Sequence, residues 1–166
     1  IADRKLTTPK IIGIGEIGLD YFRLEEVTAK RVRAIQKHLC TSLLSLAKKY
    51  DLFVSLHVRD QKTPEQPEEG NAYWDILELV RGAQLNTPFI LHCSSGPLPY
   101  ISQALEMGAY VSFAGNVTYP NAQALRDIWN LTPADRRFLE TDVPFLPPQG
   151  FRGKTCEPWM IAETAS

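Results

Sequence analysis

Two of the three histidines in this 166-residue chain stand directly after short apolar runs, His57 after FVSL and His92 after FIL. Glu16 follows another such run, KIIGI, with one glycine between them, and Asp142 closes the segment RFLETD. Carboxylate, imidazole, imidazole, carboxylate is a donor set suited to zinc, manganese or iron, and its carboxylates also suit magnesium. Such a centre hydrolyses esters, because a divalent ion acidifies water and polarises a phosphoryl or carbonyl oxygen. A single imidazole at the end of a strand is ordinarily a hydrogen-bonded structural group. Two imidazoles and two carboxylates, all at strand ends, favour a shared metal site instead. The remaining histidine, His38, falls inside a helix-like stretch and reads as a surface or packing residue.

The elements that must position these groups alternate along the chain. Strands are expected at Lys10–Ile14, Phe53–Leu56, Phe89–Leu91, Tyr110–Phe113 and Arg137–Leu139. Between them the spacing predicts helices over 29–50, 73–82, 98–107 and 122–129. In the first, Val32, Ile35, Leu39, Leu43, Leu46 and Ala47 fall three or four apart. In the second, Trp74, Leu77 and Val80 share a face, and Gly108 stops the third. Thr63 to Gly70 (TPEQPEEG) is a polar, proline-rich surface loop after the second strand. Strands that alternate with helices pair in parallel, and strands apolar throughout are covered on both faces. The C-terminal ends of strands in a parallel barrel open into one pocket. The intervals agree: Glu16 to His57 and His57 to His92 each span roughly one strand–helix unit of about 31 residues, and His92 to Asp142 about two shortened ones. The expectation is a single α/β domain over residues 1–166, of the (β/α)₈ TIM-barrel type, with about five clear strands and so a partial barrel. On this reading, material is missing at both ends.

Bulk properties narrow the function further. The chain is 44% apolar and 22% charged, an ordinary globular composition, with a net charge of −1. No global positive field advertises nucleic acid, although metal ions can take up phosphates in place of a basic surface. Cys40, Cys93 and Cys156 are odd in number, widely spaced and contain no CxxC pair, so they read as free thiols of a reducing compartment. No apolar run approaches the roughly 20 residues that cross a bilayer, and no secretory signal follows Ile1. A cytoplasmic or nuclear protein with no membrane partner is expected; oligomeric state is not legible.

Six segments in order resemble the signatures of the TatD family of metal-dependent hydrolases. They are GIGEIGLDY at 13–21, SLHVRD at 55–60, LHCSSG at 91–96, YVSFAGN at 110–116, ETDVPFLPP at 140–148 and RGKTCEP at 152–158. The resemblance covers nearly the whole chain. It implies a (β/α)₈ barrel with one or two divalent ions (magnesium, manganese or zinc) and hydrolysis of phosphodiesters in nucleic acid, chiefly as 3′–5′ deoxyribonucleases on single strands. By motif, Glu16 binds or bridges metal, His57 and His92 ligate one ion, and Asp142 binds metal and orients the attacking water. Glu16 and Asp142 are thus the candidate catalytic carboxylates. Arg59 shares the His57 face and either contacts a substrate phosphate or pairs with a carboxylate; Arg152 and Lys154 are candidates to hold phosphate in a late loop. Phe22, Tyr119 and Phe151 follow strand ends and are candidates to stack on bases.

The chain departs from the family at three points. Nothing matches the family's opening His-x-His pair, Ser94 replaces a Phe and Cys156 replaces an Asn. The same ligand set serves a small-molecule esterase or a deacylase of aminoacyl-tRNA, and a barrel without the His pair could be an inactive scaffold; both remain alternatives to the nuclease.

Overall fold

The structure, a computed structural model, describes residues 11–166. Five parallel strands form one sheet in sequential order: β1 (Gly13–Asp20), β2 (Phe53–Arg59), β3 (Phe89–His92), β4 (Tyr110–Phe113) and β5 (Arg137–Leu139). The crossovers carry α1 (Glu26–Lys49), α2 (Ala72–Ala83), α3 (Leu98–Glu106) and α4 (Gln123–Leu131), and a short α5 (Ile161–Ala165) follows β5. This is the parallel, sequentially wound order of a TIM-barrel-like α/β fold. Among the described residues, no helix is long and apolar enough to cross a membrane.

Two of the three site-bearing strands are several residues longer than their apolar runs indicate. The first was expected at Lys10–Ile14; Lys10 lies outside the described residues, and β1 continues through Glu16 to Asp20. Likewise β2 runs on through His57 to Arg59. Polar residues persist in these strands because only one face meets the helices. Val54, Leu56 and Val58 are buried, whereas His57 is half-buried and Arg59 exposed. Ile17 and Leu19 of β1 join Leu44 of α1, Ile76 of α2 and Ile101 of α3 in the core. Helix α1 turns only part of the face marked out by its apolar spacing toward the core: Ala47 and Leu43 pack there, joined by Cys40 and Leu44. Cys40, Leu44 and Ala47 are buried, while Ile35, Leu39 and Leu46 are exposed.

The end of β1 is held from several sides. Gln36 of α1 accepts from the Asp20 N–H at 2.8 Å and donates to its carbonyl at 3.0 Å. Tyr21 donates to the buried Asp75 carboxylate of α2 at 3.0 Å, and Lys37 pairs with the same carboxylate at 3.1 Å. The polar loop 63–70 is exposed for most of its length and pinned by the Trp74 indole N–H on the Pro64 carbonyl.

The β1–β2 register slips once. Ile14 pairs with Val54, but Ile17 pairs with Leu56, so one extra residue of β1 is accommodated there. Such a bulge re-aims side chains locally. Two glycines permit the close approach: a Cβ on Gly15 would lie 2.7 Å from the Ser55 Cβ, and one on Gly18, whose φ is +151°, would lie 1.9 Å from the His57 carbonyl oxygen. Gly18→Ala is therefore expected to destabilise the fold by about 3 kcal/mol, read as a lower urea midpoint; an unchanged midpoint would show that the strand pair has room to spread.

Candidate metal centre

His57 and His92 are register partners in adjacent parallel strands. Their side chains leave the same face of the sheet, with ring centroids 6.5 Å apart. The bulge brings Glu16 between them. Its Oε1 lies 2.8 Å from His92 Nε2 and 3.4 Å from His57 Nδ1. One donor atom from each of the three residues lies within 4.8 Å of the others. Asp142, in the turn after β5, places Oδ1 3.5 Å from His92 Nε2. All four strand-end residues singled out in the sequence meet here, although Glu16, His57 and His92 lie within their strands rather than beyond them.

Each imidazole turns its other nitrogen to a second carboxylate. His57 Nε2 lies 3.3 Å from Asp20 Oδ2, and His92 Nδ1 makes a short contact with Glu140 Oε2. Glu140 also accepts from the Cys93 backbone N–H. An outer carboxylate of this kind fixes the tautomer and ring orientation of a ligating histidine and strengthens it as a donor. The donor set and its outer partners fit a divalent cation held by Glu16, His57 and His92, with Asp142 beside it.

Asp20 and Glu140 were not selected as site residues from the sequence. Both lie in segments that were, four residues after Glu16 and two before Asp142. Nothing in their types or spacing separates an orienting carboxylate from a ligand; the distinction is which nitrogen each one faces.

The titration behaviour follows from these contacts. The hydrogen bond to Glu140 raises the His92 pKa above the ordinary 6.5, against burial, which pulls it down. Burial pushes the Glu140 carboxyl up, but bonds from His92, Ser112 and the Cys93 N–H outweigh it and leave the pKa below the usual 4.5. Burial likewise opposes ionisation of Asp20, but the Arg59 hydrogen bond, the Phe22 N–H, the Arg59 charge and the His57 bond together outweigh it, so its pKa is lowered. Burial pushes the Cys93 thiol up to about 12, so it stays a neutral thiol.

A cavity of about 440 Å³ opens over the site, lined by Glu16, His57, Arg59 and Asp142 together with Arg23 and Phe145. Arg59 is engaged by Asp20 at 2.7 and 3.3 Å and lies over the Phe22 ring, 4.9 Å from its centroid. Of its two sequence readings, the structure displays the carboxylate pair. Arg152 lies over Tyr119 and Lys154 over Phe151, and neither is part of the cavity lining. His38 is exposed on α1, and Cys40, Cys93 and Cys156 are free thiols.

With the geometry in view, comparison with known proteins is decisive. The family model described as TatD related DNase matches residues 2–166. The chain belongs to the TatD family. It is 34% identical over 158 residues to the uncharacterized metal-dependent hydrolase YabD of Bacillus subtilis (strain 168), covering 94% of this chain and 55% of that protein. It is 30% identical over 156 residues to the uncharacterized metal-dependent hydrolase YcfH of Escherichia coli (strain K12), covering 93% and 53%. The crystal structure of YjjV, a TatD homologue from Escherichia coli K12, superposes with a TM-score of 0.78 at 29% identity, over 94% of this chain and 54% of that one. The chain thus spans about half the length of the curated relatives it matches. Within that half lie all four candidate ligands of this TatD family member.

The His92–Glu140 pair sets an expectation for the metal-free protein. His92, with its raised pKa, contributes stability that is full below the unfolded value of 6.5 and lost as pH rises through the folded value. Glu140, with its lowered pKa, contributes stability that is full above 4.5 and lost as pH falls through its folded value. The pair's contribution in EDTA is therefore greatest between those two unfolded values. Glu140→Gln should flatten this window in chemical denaturation across pH; a variant curve parallel to the wild type would refute the coupling.

Proposed function

We propose that this chain carries the catalytic centre of a metal-dependent phosphodiesterase that removes nucleotides from single-stranded DNA in the 3′–5′ direction. The observation that carries the reading is the meeting of Glu16 with the two aligned imidazoles, each backed by its own carboxylate. Membership of a family described as TatD related DNase supports DNA as the substrate. The metal-dependent hydrolase names of the relatives support a divalent cofactor: magnesium, manganese or zinc, one ion or two.

Bound by Glu16, His57 and His92, a divalent ion supplies Lewis-acid polarisation of a phosphoryl oxygen and lowers the pKa of water. The protein's own groups do the rest. Asp20 and Glu140 hold the two imidazoles so that one nitrogen of each faces the centre. Asp142, at the cavity wall, orients the attacking water and takes its proton, as a carboxylate within reach of the nucleophile can. The water oxygen bonds to phosphorus, the bond from phosphorus to the leaving sugar oxygen breaks, and that oxygen takes up the proton that the water gave to Asp142. Phe145 and Leu146 form an apolar wall beside the reacting groups.

The test is nucleotide release from 5′-labelled single-stranded DNA by the full-length protein, with magnesium, manganese or zinc and with EDTA. Metal-dependent release is expected, with His92→Ala lowering kcat at least about 100-fold and Glu140→Gln raising the manganese concentration for half-maximal rate about 10- to 100-fold. No release under any metal, with turnover of a carboxyl ester such as p-nitrophenyl acetate, would replace this reading with the esterase.

A further inference from the structure

Apart from Arg59 and Leu146, the cavity over the centre contains two groups that neither metal binding nor the proton transfer uses: Arg23 and Phe145. Both remain available, while comparable residues nearby are occupied. Arg59, the other cation of the cavity, is committed to Asp20 by two bonds. Arg23 follows Phe22 in the chain, its guanidinium carbon 5.9 Å from that ring's centroid. Among the described residues, no carboxylate lies within ion-pair distance of Arg23. A guanidinium free of carboxylates at the wall of a cavity suits a phosphate, which it can grip through two parallel N–H bonds.

The aromatic residues divide the same way. The three stacking candidates of the sequence are all engaged: Phe22 under Arg59, Tyr119 under Arg152, and Phe151 between the Trp159 edge and Lys154. Phe145 is 65% exposed on the cavity wall, and no ring or cation among the described residues covers it. Its backbone is nonetheless fixed. The Phe145 N–H donates to the Asp142 carbonyl at 2.6 Å, and the Cys156 N–H donates to the Pro144 carbonyl at 3.0 Å. A rigidly held, uncovered ring three residues after a ligand carboxylate is a platform for one base. Only an unpaired, unstacked base can use it.

We propose that Arg23 and Phe145 together seat one nucleotide of the substrate, Arg23 taking a phosphate and Phe145 the base, and so make the centre selective for single-stranded nucleic acid over small esters. This inference rests on the nuclease reading above and assigns its substrate-recognition residues. Flexible backbone and unpaired bases are what the two contacts select, so a duplex end must fray before it binds.

The experiment compares kcat/KM on a labelled single-stranded oligonucleotide with kcat/KM on bis(p-nitrophenyl) phosphate, which has one phosphate and no base. Binding of the same oligonucleotide is read by fluorescence anisotropy with calcium, an oxygen-seeking divalent cation, in place of the catalytic metal. Phe145→Ala and Phe145→Leu should each lower the ratio of the two kcat/KM values about tenfold or more, with Phe145→Trp restoring it. Arg23→Ala should weaken oligonucleotide binding and reduce the slope of log affinity against log salt by about 0.7, the single-strand value for one phosphate contact. Equal losses on both substrates, or a lower melting temperature with the ratio unmoved in the volume-preserving Phe145→Leu, would overturn the assignment. Wild-type protein that neither binds nor cleaves DNA would overturn the nuclease reading itself, before any variant is compared.

Discussion

A one-residue bulge in β1 governs the geometry of everything around it. In a parallel sheet, register partners share a face, so pairing His57 with His92 sets the imidazoles side by side. A regular β1 would offer a single residue opposite Ser55. The slip between Ile14 and Ile17 accommodates both Gly15 and Glu16 there. The glycine takes the position where a side chain would strike Ser55, and the glutamate turns its carboxylate toward both rings. Because side chains alternate faces along a strand, a slip elsewhere would exchange the core face for the site face. The bulge confines that change to one step, and Ile17 and Leu19 remain in the core.

Around that carboxylate the structure builds two matching relays. Asp20, His57 and Glu16 form one; Glu140, His92 and Glu16 form the other. The outer members belong to different parts of the fold, Asp20 at the end of β1 and Glu140 just beyond β5. Both are held by backbone as well as by side chains. Gln36 fixes both main-chain groups of Asp20, and the Cys93 N–H binds Glu140. Orientation of the imidazoles therefore derives from the sheet and α1 rather than from mobile loops. An arrangement fixed in this way keeps its donors in place before any ligand arrives, which lowers the reorganisation needed on binding.

Much of this was legible in the sequence. Strand–helix alternation, the parallel sheet and the convergence of Glu16, His57, His92 and Asp142 followed from apolar runs and from the residues that end them. Strand ends were less legible. An apolar run marks only the portion of a strand buried on both faces, and β1 and β2 continue where one face turns to the site. The α1 face is only partly legible from spacing: Ala47 is buried as expected, but Cys40 and Leu44 are buried beside it while Leu39 and Leu46 are exposed. Orienting carboxylates, the bulge and the placement of Arg23 at the cavity wall depend on which atoms meet across the fold, and residue types alone do not encode that.

Electrostatics ties the recognition residues to the centre. Glu16, Asp20, Glu140 and Asp142 converge on one region, and Arg59 offsets only Asp20. With neutral imidazoles such a cluster repels a phosphodiester, since like charges at short range disfavour one another strongly in a partly desolvated site. A divalent cation held by Glu16, His57 and His92 would change the sign of the local field, because a bound ion is the largest charge in such a site. The carboxylates would then bind the ion and hold its ligands, and an anionic substrate could approach. On the proposed reading Arg23 belongs to the same balance: placed at the cavity wall and, among the described residues, without a carboxylate partner, it would attract a neighbouring phosphate without competing for Glu16 or Asp142. On the proposed reading, a chain with net charge −1 would thereby bind a polyanion without a basic surface, through charge concentrated at one centre.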